Sequence, residues 1–551
     1  GLPTALLECD SGEFIALALR GGIAHPPGYP LQTMMYHWVG ALVPQEHIIP
    51  SLGATSAIAV AVACGLLFAA LRPVAPSPAL RAITARVVGT CDPVWKAATG
   101  VEPFGLNLLL AAVVLAVSVR RLERTDERWP PWVLGGVFGL GLCHHHSLAL
   151  LVPLGAVALL YHRPTAWRSV AWFALGFGLG TTPLLYLVFV DKQGPFVWGD
   201  WNPLGPGLWA HLRREQYGTL ELIRGATGPR WSAPLHYLRV TGAHLSWLWA
   251  LAAVWGGILL GWRRSARKLT WGLLLSAGMI GWFFSLFRAP VPIDWQLRVV
   301  VERFFALPDL LLAFPIAATL QWLEPRLRSL LPLAGALLLT HGLTQSASSL
   351  RTHDTLYEGW MRDVERAVGG DGVIITYDDA TLMGSMYLKA RNDSLHVVQV
   401  PMLSLPWYRD SVMQALWPAA PPTASLGDLI DQLLRRGQKV VMTRAPEEAD
   451  AFLASSFPLG PVVRLLPRGA PPPPPQTLYE WNLRFEEGSA ARARLLEAVP
   501  LEPWGVAAMQ DFARTWETLA AAAEGEGLTE VAQDARARAA FYRDAKGNVR
   551  W

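Results

Sequence analysis

The chain has 551 residues, of which 52% are apolar and 16% charged, against about 25% charged in an ordinary soluble domain. That deficit points to lipid, and the formal net charge of +4, concentrated in short loops between apolar runs, reads as membrane orientation and excludes a nucleic-acid partner. Cys9, Cys64, Cys91 and Cys143 have no metal-type spacing, so they read as small buried hydrophobes rather than as a disulfide framework or zinc site.

Polar chemistry begins within ten residues of Gly1, so an anchor helix or signal is expected upstream. A crossing of about 30 Å takes roughly 20 helical residues. Spans are expected at Ser51 to Leu71, Phe104 to Val119, Ser169 to Val190, Thr241 to Gly261, Trp271 to Leu286, Pro308 to Leu323 and Leu330 to Leu343. Trp132 to Tyr161 is too long for one crossing and reads as two, meeting at a polar turn of His144, His145 and His146. Ala79 to Ala98 reads as a weaker crossing interrupted by Asp92 and Pro93. Counted through these spans, Arg120 to Arg128, Arg163 and Arg168, Arg263 to Lys268, and Arg326 and Arg328 all fall on one side, which the positive-inside rule makes cytoplasmic. The outer side then holds Cys9 to Pro50, Trp95 to Glu102, the histidine turn, Asp191 to Arg239, Arg288 to Phe305 and the C-terminal region.

From about Arg351 the texture changes. Short β-branched runs, Gly372 to Thr376, Leu395 to Val400 and Lys439 to Met442, alternate with helical stretches such as Leu426 to Arg436 and predict a small α/β domain over 351–470. Pro471 to Pro475 opens a stiff, irregular linker over 471–510, and Asp511 to Ala545 reads as a helical hairpin turning at Glu524-Gly525-Glu526-Gly527, within 511–551. The fold class is therefore a polytopic α-helical membrane domain over 1–350, with an acidic outer loop at 9–50, followed by a small extracytoplasmic α/β domain and a C-terminal helical hairpin.

Chemistry-bearing residues gather in the outer segments. Asp10-Ser11-Gly12-Glu13 has the spacing of a helix N-cap with a glutamate three residues on, which is also a capping box with no chemistry. His25-Pro26-Pro27-Gly28-Tyr29-Pro30 is stiffened by its prolines and would hold His25 and Tyr29 in place. Trp198-Gly199-Asp200 precedes Arg213, Arg214, Glu215, Gln216 and Tyr217; arginines among aromatics can clamp a phosphate, or simply sit in an interfacial belt. His145 and His146 are costly at membrane depth unless they face a polar cavity. Glu302 and Arg303 can pair with each other or face a common cavity.

In their order these motifs resemble the multi-pass membrane proteins catalogued as domain of unknown function 2723, associated with protein O-mannosyltransferases of the GT-C fold. Asp10 to Glu13 and His25 to Pro30 carry the specific part of the match. Trp95, Glu102-Pro103-Phe104 with Leu106-Asn107, His145 and His146, Trp198 to Asp200, Arg214 to Gly218, Val301 to Phe304 and Trp407-Tyr408 extend it to about Tyr408, with Pro103 standing where the family has valine.

The resemblance implies an enzyme that moves a sugar, mannose, from a polyprenyl-phosphate donor to an extracytoplasmic hydroxyl such as Ser or Thr of a protein, with inversion. Asp10 is then the base, helped by Glu13. His25, Tyr29, Trp95, Glu102, Asn107, Trp198, Asp200 and Tyr217 position donor or acceptor, and His145, His146, Arg214 and Arg303 hold the lipid phosphate. No metal and no cofactor beyond the lipid co-substrate is expected. The expected partners are the bilayer, the lipid-linked sugar and an acceptor protein or glycan; the expected location is a bacterial cytoplasmic membrane. The competing readings are a transporter or lipid flippase, whose charges would line a pathway, and a non-catalytic membrane scaffold.

Overall fold

The computed structural model describes residues 2–7, 9–123, 130–160, 166–217, 228–288, 291, 293, 295–327, 356–443, 455–496 and 504–544. The chain divides into two compact units, residues 22–351 and residues 3–21 with 352–551.

The first unit is helical. Ile48–Ala70 and Phe104–Glu123 pack side by side, and at 23 residues the former is about 35 Å long. Pro131–Leu142 and Ala166–Gly180 meet backbone to backbone: a Cβ on Gly135 would lie 2.0 Å from the Phe173 carbonyl oxygen, and one on Gly176 2.0 Å from that of Trp132. Small residues permit such an approach between apolar helices. After Leu142 the chain turns through Cys143, His144 and His145 and resumes at His146–Leu151 and Val152–Leu160. Arg267–Phe284 and the proline-bearing Ala306–Leu327 complete the bundle.

Among the described residues three stretches, Gln45–Ala70, Phe104–Glu123 and Trp167–Phe189, are long and apolar enough to cross a membrane. Ser232–Ala243 and Ser246–Trp262 form a fourth only as a pair bent by 114°. This is fewer than the ten crossings read from sequence, and the reasons are local. The run expected at Thr241 to Gly261 is broken beside Ser246, whose φ is 61°. The one expected at Ala79 to Ala98 is split at Thr90 and Cys91 into Pro78–Gly89 and Asp92–Thr99, about 18 and 12 Å long and each too short to cross alone. Arg267 and Lys268, and Asp309, Glu324 and Arg326, add charge to the last two helices. The span expected at Leu330 to Leu343 lies outside the described residues.

The second unit is built on a five-stranded sheet in the order β2-β1-β3-β5-β4, where β1 is Val373–Thr376, β2 His396–Gln399, β3 Val440–Thr443, β4 Ser456–Leu459 and β5 Val462–Leu465. Strands β1, β2 and β3 are parallel, and β1 and β3 are buried along their whole length, as parallel strands covered on both faces are. Val373, Ile375, Leu429, Leu433, Val440 and Met442 share one core. The β4–β5 hairpin, absent from the sequence reading, turns at Gly460 with φ 57°.

Two boundaries read from sequence change. The segment 471–510 is not an irregular linker: it contains Pro475–Glu487 and Ala490–Leu496. Pro475 starts a helix because its missing N–H is one that a first turn leaves unbonded. That helix joins the hairpin Gly505–Gly525 and Thr529–Asp544 through Glu486, which accepts from Trp516 Nε1 at 2.7 Å, Tyr542 Oη at 2.7 Å and Arg538 Nη1 at 2.6 Å. Residues 3–21, placed by sequence with the membrane domain, belong to the second unit. Cys9–Arg20 lies along Asp379–Arg391 so closely that a Cβ on Gly12 would stand 2.1 Å from the Met383 carbonyl oxygen. Arg20 Nε donates to the Ala390 carbonyl at 2.8 Å, and the Leu6 amide donates to Glu358 Oε2 at 2.9 Å.

Candidate functional site

In the first unit the segment from Ile23 to Pro30 is tied down on both sides. Ile23 bridges Val197, with Ile23 N donating to the Phe196 carbonyl at 2.9 Å, and Tyr186 Oη donates to the Gly22 carbonyl at 2.7 Å. His211, on the helix Leu204–Leu212, donates from Nε2 to the Ala24 carbonyl at 3.1 Å and stacks on Trp201 with ring centroids 5.1 Å apart. Gly28, at φ 90°, and Gly199, at φ 103°, make room for that imidazole: a Cβ on either would come within 2.9 Å of His211 Nε2 and 3.1 Å of Nδ1, respectively. Burial, and to a lesser degree the neighbouring His25, push the His211 pKa down to about 3, so it holds the loop as a neutral ring.

Held in this way, His25 faces three aromatic rings: Tyr29, Trp198 and Tyr217, at centroid distances of 5.2, 6.2 and 6.3 Å. Tyr29 in turn lies 5.8 Å from His145, which packs between Phe104 at 5.3 Å and Phe304 at 5.6 Å. Tyr29 and Arg214 both adopt left-handed backbone, φ 42° and 56°, which costs a non-glycine residue of order 1–3 kcal/mol and recurs at functional sites.

The tautomer of His145 follows from its partners. The Ser147 amide donates to His145 Nδ1 at 3.2 Å, Ser147 Oγ lies 2.7 Å from the same nitrogen, and Asn107 Nδ2 donates to Ser147 Oγ at 3.0 Å. Nδ1 is thus the acceptor, and the ring proton sits on Nε2. His144 donates to the Pro103 carbonyl at 2.7 Å and serves the turn.

Arg214 supplies the cation. Its guanidinium lies 5.6 Å over the Tyr217 ring and within electrostatic reach of His145 and His146. Its buried Nε has no hydrogen-bond partner, and among the described residues it makes no ion pair, whereas Arg213 is bound to Glu215 at 2.6 Å. His146 Nε2 and Trp95 Nε1 are likewise buried without partners. Arg303 donates to Glu102 Oε1 at 3.2 Å. Glu302 does not pair with Arg303; it accepts from His236 at 3.0 Å and Arg298 at 2.6 Å. Burial alone would raise its pKa, but those two partners and Lys96 outweigh it and hold the carboxyl below its ordinary value.

The structure therefore gathers His25, Tyr29, Trp198, Tyr217, His145 and Arg214 around one cluster, and couples Asn107 to it through Ser147. His146 lies within reach of Arg214, and Glu102 and Arg303 form their own pair. Trp95 stands on Asp92–Thr99, which packs against the turn Arg303–Phe305. Asp200 is exposed and closes a turn by accepting from the Asn202 amide at 3.0 Å, a local role that does not bring it into the cluster. Asp10 and Glu13 lie in the second unit on Cys9–Arg20, with Glu13 fully buried. The helix starts at Cys9, so Asp10 sits in its first turn rather than capping it. Sequence reasoning missed His211; its one signal was a histidine between two glycine-bearing motifs. Among the described residues no three His, Cys, Asp or Glu side chains converge as a metal site.

The family profile of the Protein O-mannosyl-transferase TMEM260 N-terminal domain matches residues 10–171. Protein O-mannosyl-transferase TMEM260 of Mus musculus is 29% identical over 437 residues, covering 74% of this chain and 61% of the relative. Its Dictyostelium discoideum counterpart is 24% identical over 353 residues, covering 55% of this chain and 40% of the relative. The chain thus spans less than two thirds of the length of either. Among solved structures, ArnT from Cupriavidus metallidurans bound to undecaprenyl phosphate superposes with a TM-score of 0.54 at 16% identity, over 85% of this chain and 96% of that one. Apo ArnT gives 0.51 at 14% identity, over 84% and 94%. At these identities the likeness speaks for architecture, and the chain is a multi-pass membrane protein with the GT-C fold of ArnT.

Proposed function

We propose that this chain is a membrane glycosyltransferase that moves a sugar, mannose, from a polyprenyl-phosphate donor to a hydroxyl on an extracytoplasmic protein, with inversion. The observation that carries the reading is Arg214: a cation with a buried unpartnered N–H, no ion pair among the described residues, and a rim of tyrosine and histidine. Such a group is arranged for an incoming anion, and arginine suits phosphate. The relatives named as O-mannosyl-transferases, and a fold neighbour solved with undecaprenyl phosphate, support the donor class.

In this reading the acceptor oxygen attacks the anomeric carbon as Asp10 takes its proton, and the bond from that carbon to the phosphate oxygen breaks with its electron pair leaving on the polyprenyl phosphate. Glu13 orients Asp10. Arg214, His145 through Nε2–H, and Arg303 take up the phosphate charge that develops. Phosphate is a competent leaving group, so neither a general acid on that side nor a metal ion is required. A cavity of about 400 Å³ lined by Tyr237, Leu260, Leu273 and Leu311 suits the lipid chain. It shares Ile280, Phe284 and Pro308 with a small cleft bounded by Asn107, Ser147 and Arg303. The active face and the second unit lie outside a bacterial cytoplasmic membrane.

The test is transfer of labelled mannose from synthetic polyprenyl-phosphate-mannose in membranes holding full-length protein, with Asp10→Asn at matched expression. Loss in the variant alone supports both enzyme and base, and equal signal in the two removes Asp10 from the mechanism. Substrate movement across the membrane without bond cleavage would favour a transporter.

A further inference from the structure

Asn107, on the helix Phe104–Glu123, is 3% exposed, and the hydrogen bonds around Ser147 fix which way its amide points. His145 Nδ1 accepts from the Ser147 amide, so the Ser147 hydroxyl, 2.7 Å from the same nitrogen, donates to it as well. With its single proton spent there, Ser147 Oγ can only accept from Asn107, 3.0 Å away. The amide nitrogen of Asn107 therefore faces Ser147, and its carbonyl oxygen faces away. That oxygen, Oδ1, is buried and has no hydrogen-bond partner among the described residues. An unmade hydrogen bond on a buried polar atom is costly and calls for an explanation.

The cleft beside Asn107 restricts what the partner is. Asn107, Ser147 and Arg303 line it together with Phe104, Phe284 and Leu307, so a few polar groups are set in an apolar wall. Its volume of about 10 Å³ admits one oxygen-sized group and neither a phosphate nor a sugar ring. The partner must also donate, because a carbonyl oxygen only accepts. A lipid chain carries no donor, and neither does the ionised phosphate that links it to a sugar. A hydroxyl meets both conditions. Arg303, the cation of the same cleft, is assigned above to the donor phosphate, so the hydroxyl in question lies beside that phosphate. The anomeric carbon bearing the phosphate is bonded to the ring oxygen and to C2, and of these two only C2 carries a hydroxyl.

We propose that Asn107 is the sugar-reading residue of the site, its Oδ1 accepting a hydrogen bond from the 2-hydroxyl of the donor sugar. This rests on the transferase reading above. The cleft seats that one oxygen, and the phosphate stays within reach of Arg303. A donor without the 2-hydroxyl leaves the buried carbonyl unpaired and is discriminated against for that reason.

The test is equilibrium binding of two synthetic donors, polyprenyl-phosphate-mannose and its 2-deoxy analogue, to full-length protein in detergent, with transfer from each measured separately. Wild type binds the 2-deoxy donor about 3–10-fold more weakly, the size of one hydrogen bond. Asn107→Leu, close in shape but without the carbonyl, binds the two donors equally. A merely structural role for Asn107 would lower both affinities together and leave their ratio as in wild type. Asn107→Ala provides the same readout should Asn107→Leu fail to fold. No binding of either donor by wild type, equal binding of the two by wild type, or a preference that survives in the variants overturns the proposal. A preference that vanishes in the variants, with no transfer from either donor in wild type, would instead overturn the enzyme reading and keep the subsite.

Discussion

Arg303 bonds Glu102, 201 residues away in the chain, and leaves its neighbour Glu302 to His236 and Arg298. Glu102 is buried, its side chain 5% exposed, and Arg303 is half-buried at 15%, so the pair is partly shielded from solvent and losing one charge is costly to the other. Glu102→Gln should lower thermal stability by about 3 kcal/mol and tighten binding of polyprenyl phosphate, because it removes one negative charge from beside the guanidinium. Arg303→Gln should weaken the same lipid and lower kcat/KM for transfer by about 100-fold. Thermal denaturation and lipid binding in detergent check both; unchanged lipid affinity in both variants would remove Arg303 from phosphate recognition.

The Asn107–Ser147–His145 relay makes a graded prediction. Ser147→Ala keeps the backbone N–H that fixes the His145 tautomer, so it should cost only about 3–10-fold in kcat/KM. His145→Phe keeps the ring packing against Phe104 and Phe304 but deletes the Nε2–H, and should cost about 100-fold. Steady-state transfer assays rank the two, and a His145→Phe enzyme as fast as Ser147→Ala would mean the histidine acts by shape alone.

Glu486 is the one carboxylate to which Trp516, Tyr542 and Arg538 all donate, and its side chain is 3% exposed. Glu486→Ala should strand Trp516 Nε1 and Tyr542 Oη, leave Arg538 to Asp534 alone, and destabilise the second unit by about 3–5 kcal/mol, while Glu480→Ala, at an exposed pair on the same helix, should change it by less than about 0.5 kcal/mol. Limited proteolysis between Gly505 and Asp544 reads the difference. Equal protection in both variants would show that the hairpin docks on its apolar contacts alone.

How far the sequence speaks depends on the range of the interaction. Apolar runs of helix length and β-branched runs followed by helices are local signals, so Ile48–Ala70, Phe104–Glu123 and the parallel strands β1 to β3 were legible. The four-residue strands β4 and β5, one holding Pro458, carry no usable alternation, and the proline run masked a helix that starts on its last member. The motif residues around His25 could be named because prolines and aromatics mark them. The cradle that Gly28 and Gly199 form for His211, the exchange of partners between Glu102 and Glu302, and the membership of residues 3–21 in the second unit arise from contacts across many residues, and no local pattern announces them.

His211 gives a pH prediction with a definite sign. Its folded pKa of about 3 lies below the 6.5 of an exposed imidazole, so at low pH the unfolded chain binds a proton that the folded chain refuses. Its contribution to stability is therefore fully present above pH 6.5 and is lost as pH falls from there toward 3. Between pH 7.5 and 4.5 this amounts to about 2–3 kcal/mol. His211→Asn keeps a side-chain donor for the Ala24 carbonyl and removes the titration. It should be less stable than wild type at pH 7.5, through lost stacking on Trp201, and should narrow that gap by about 2–3 kcal/mol at pH 4.5. Melting curves of both proteins in detergent across this range give the difference directly, and the other buried histidines cancel in the comparison. Parallel curves would mean that His211 takes up a proton inside the fold and that the loop bearing His25 is held by the Ile23–Val197 bridge and Tyr186 instead.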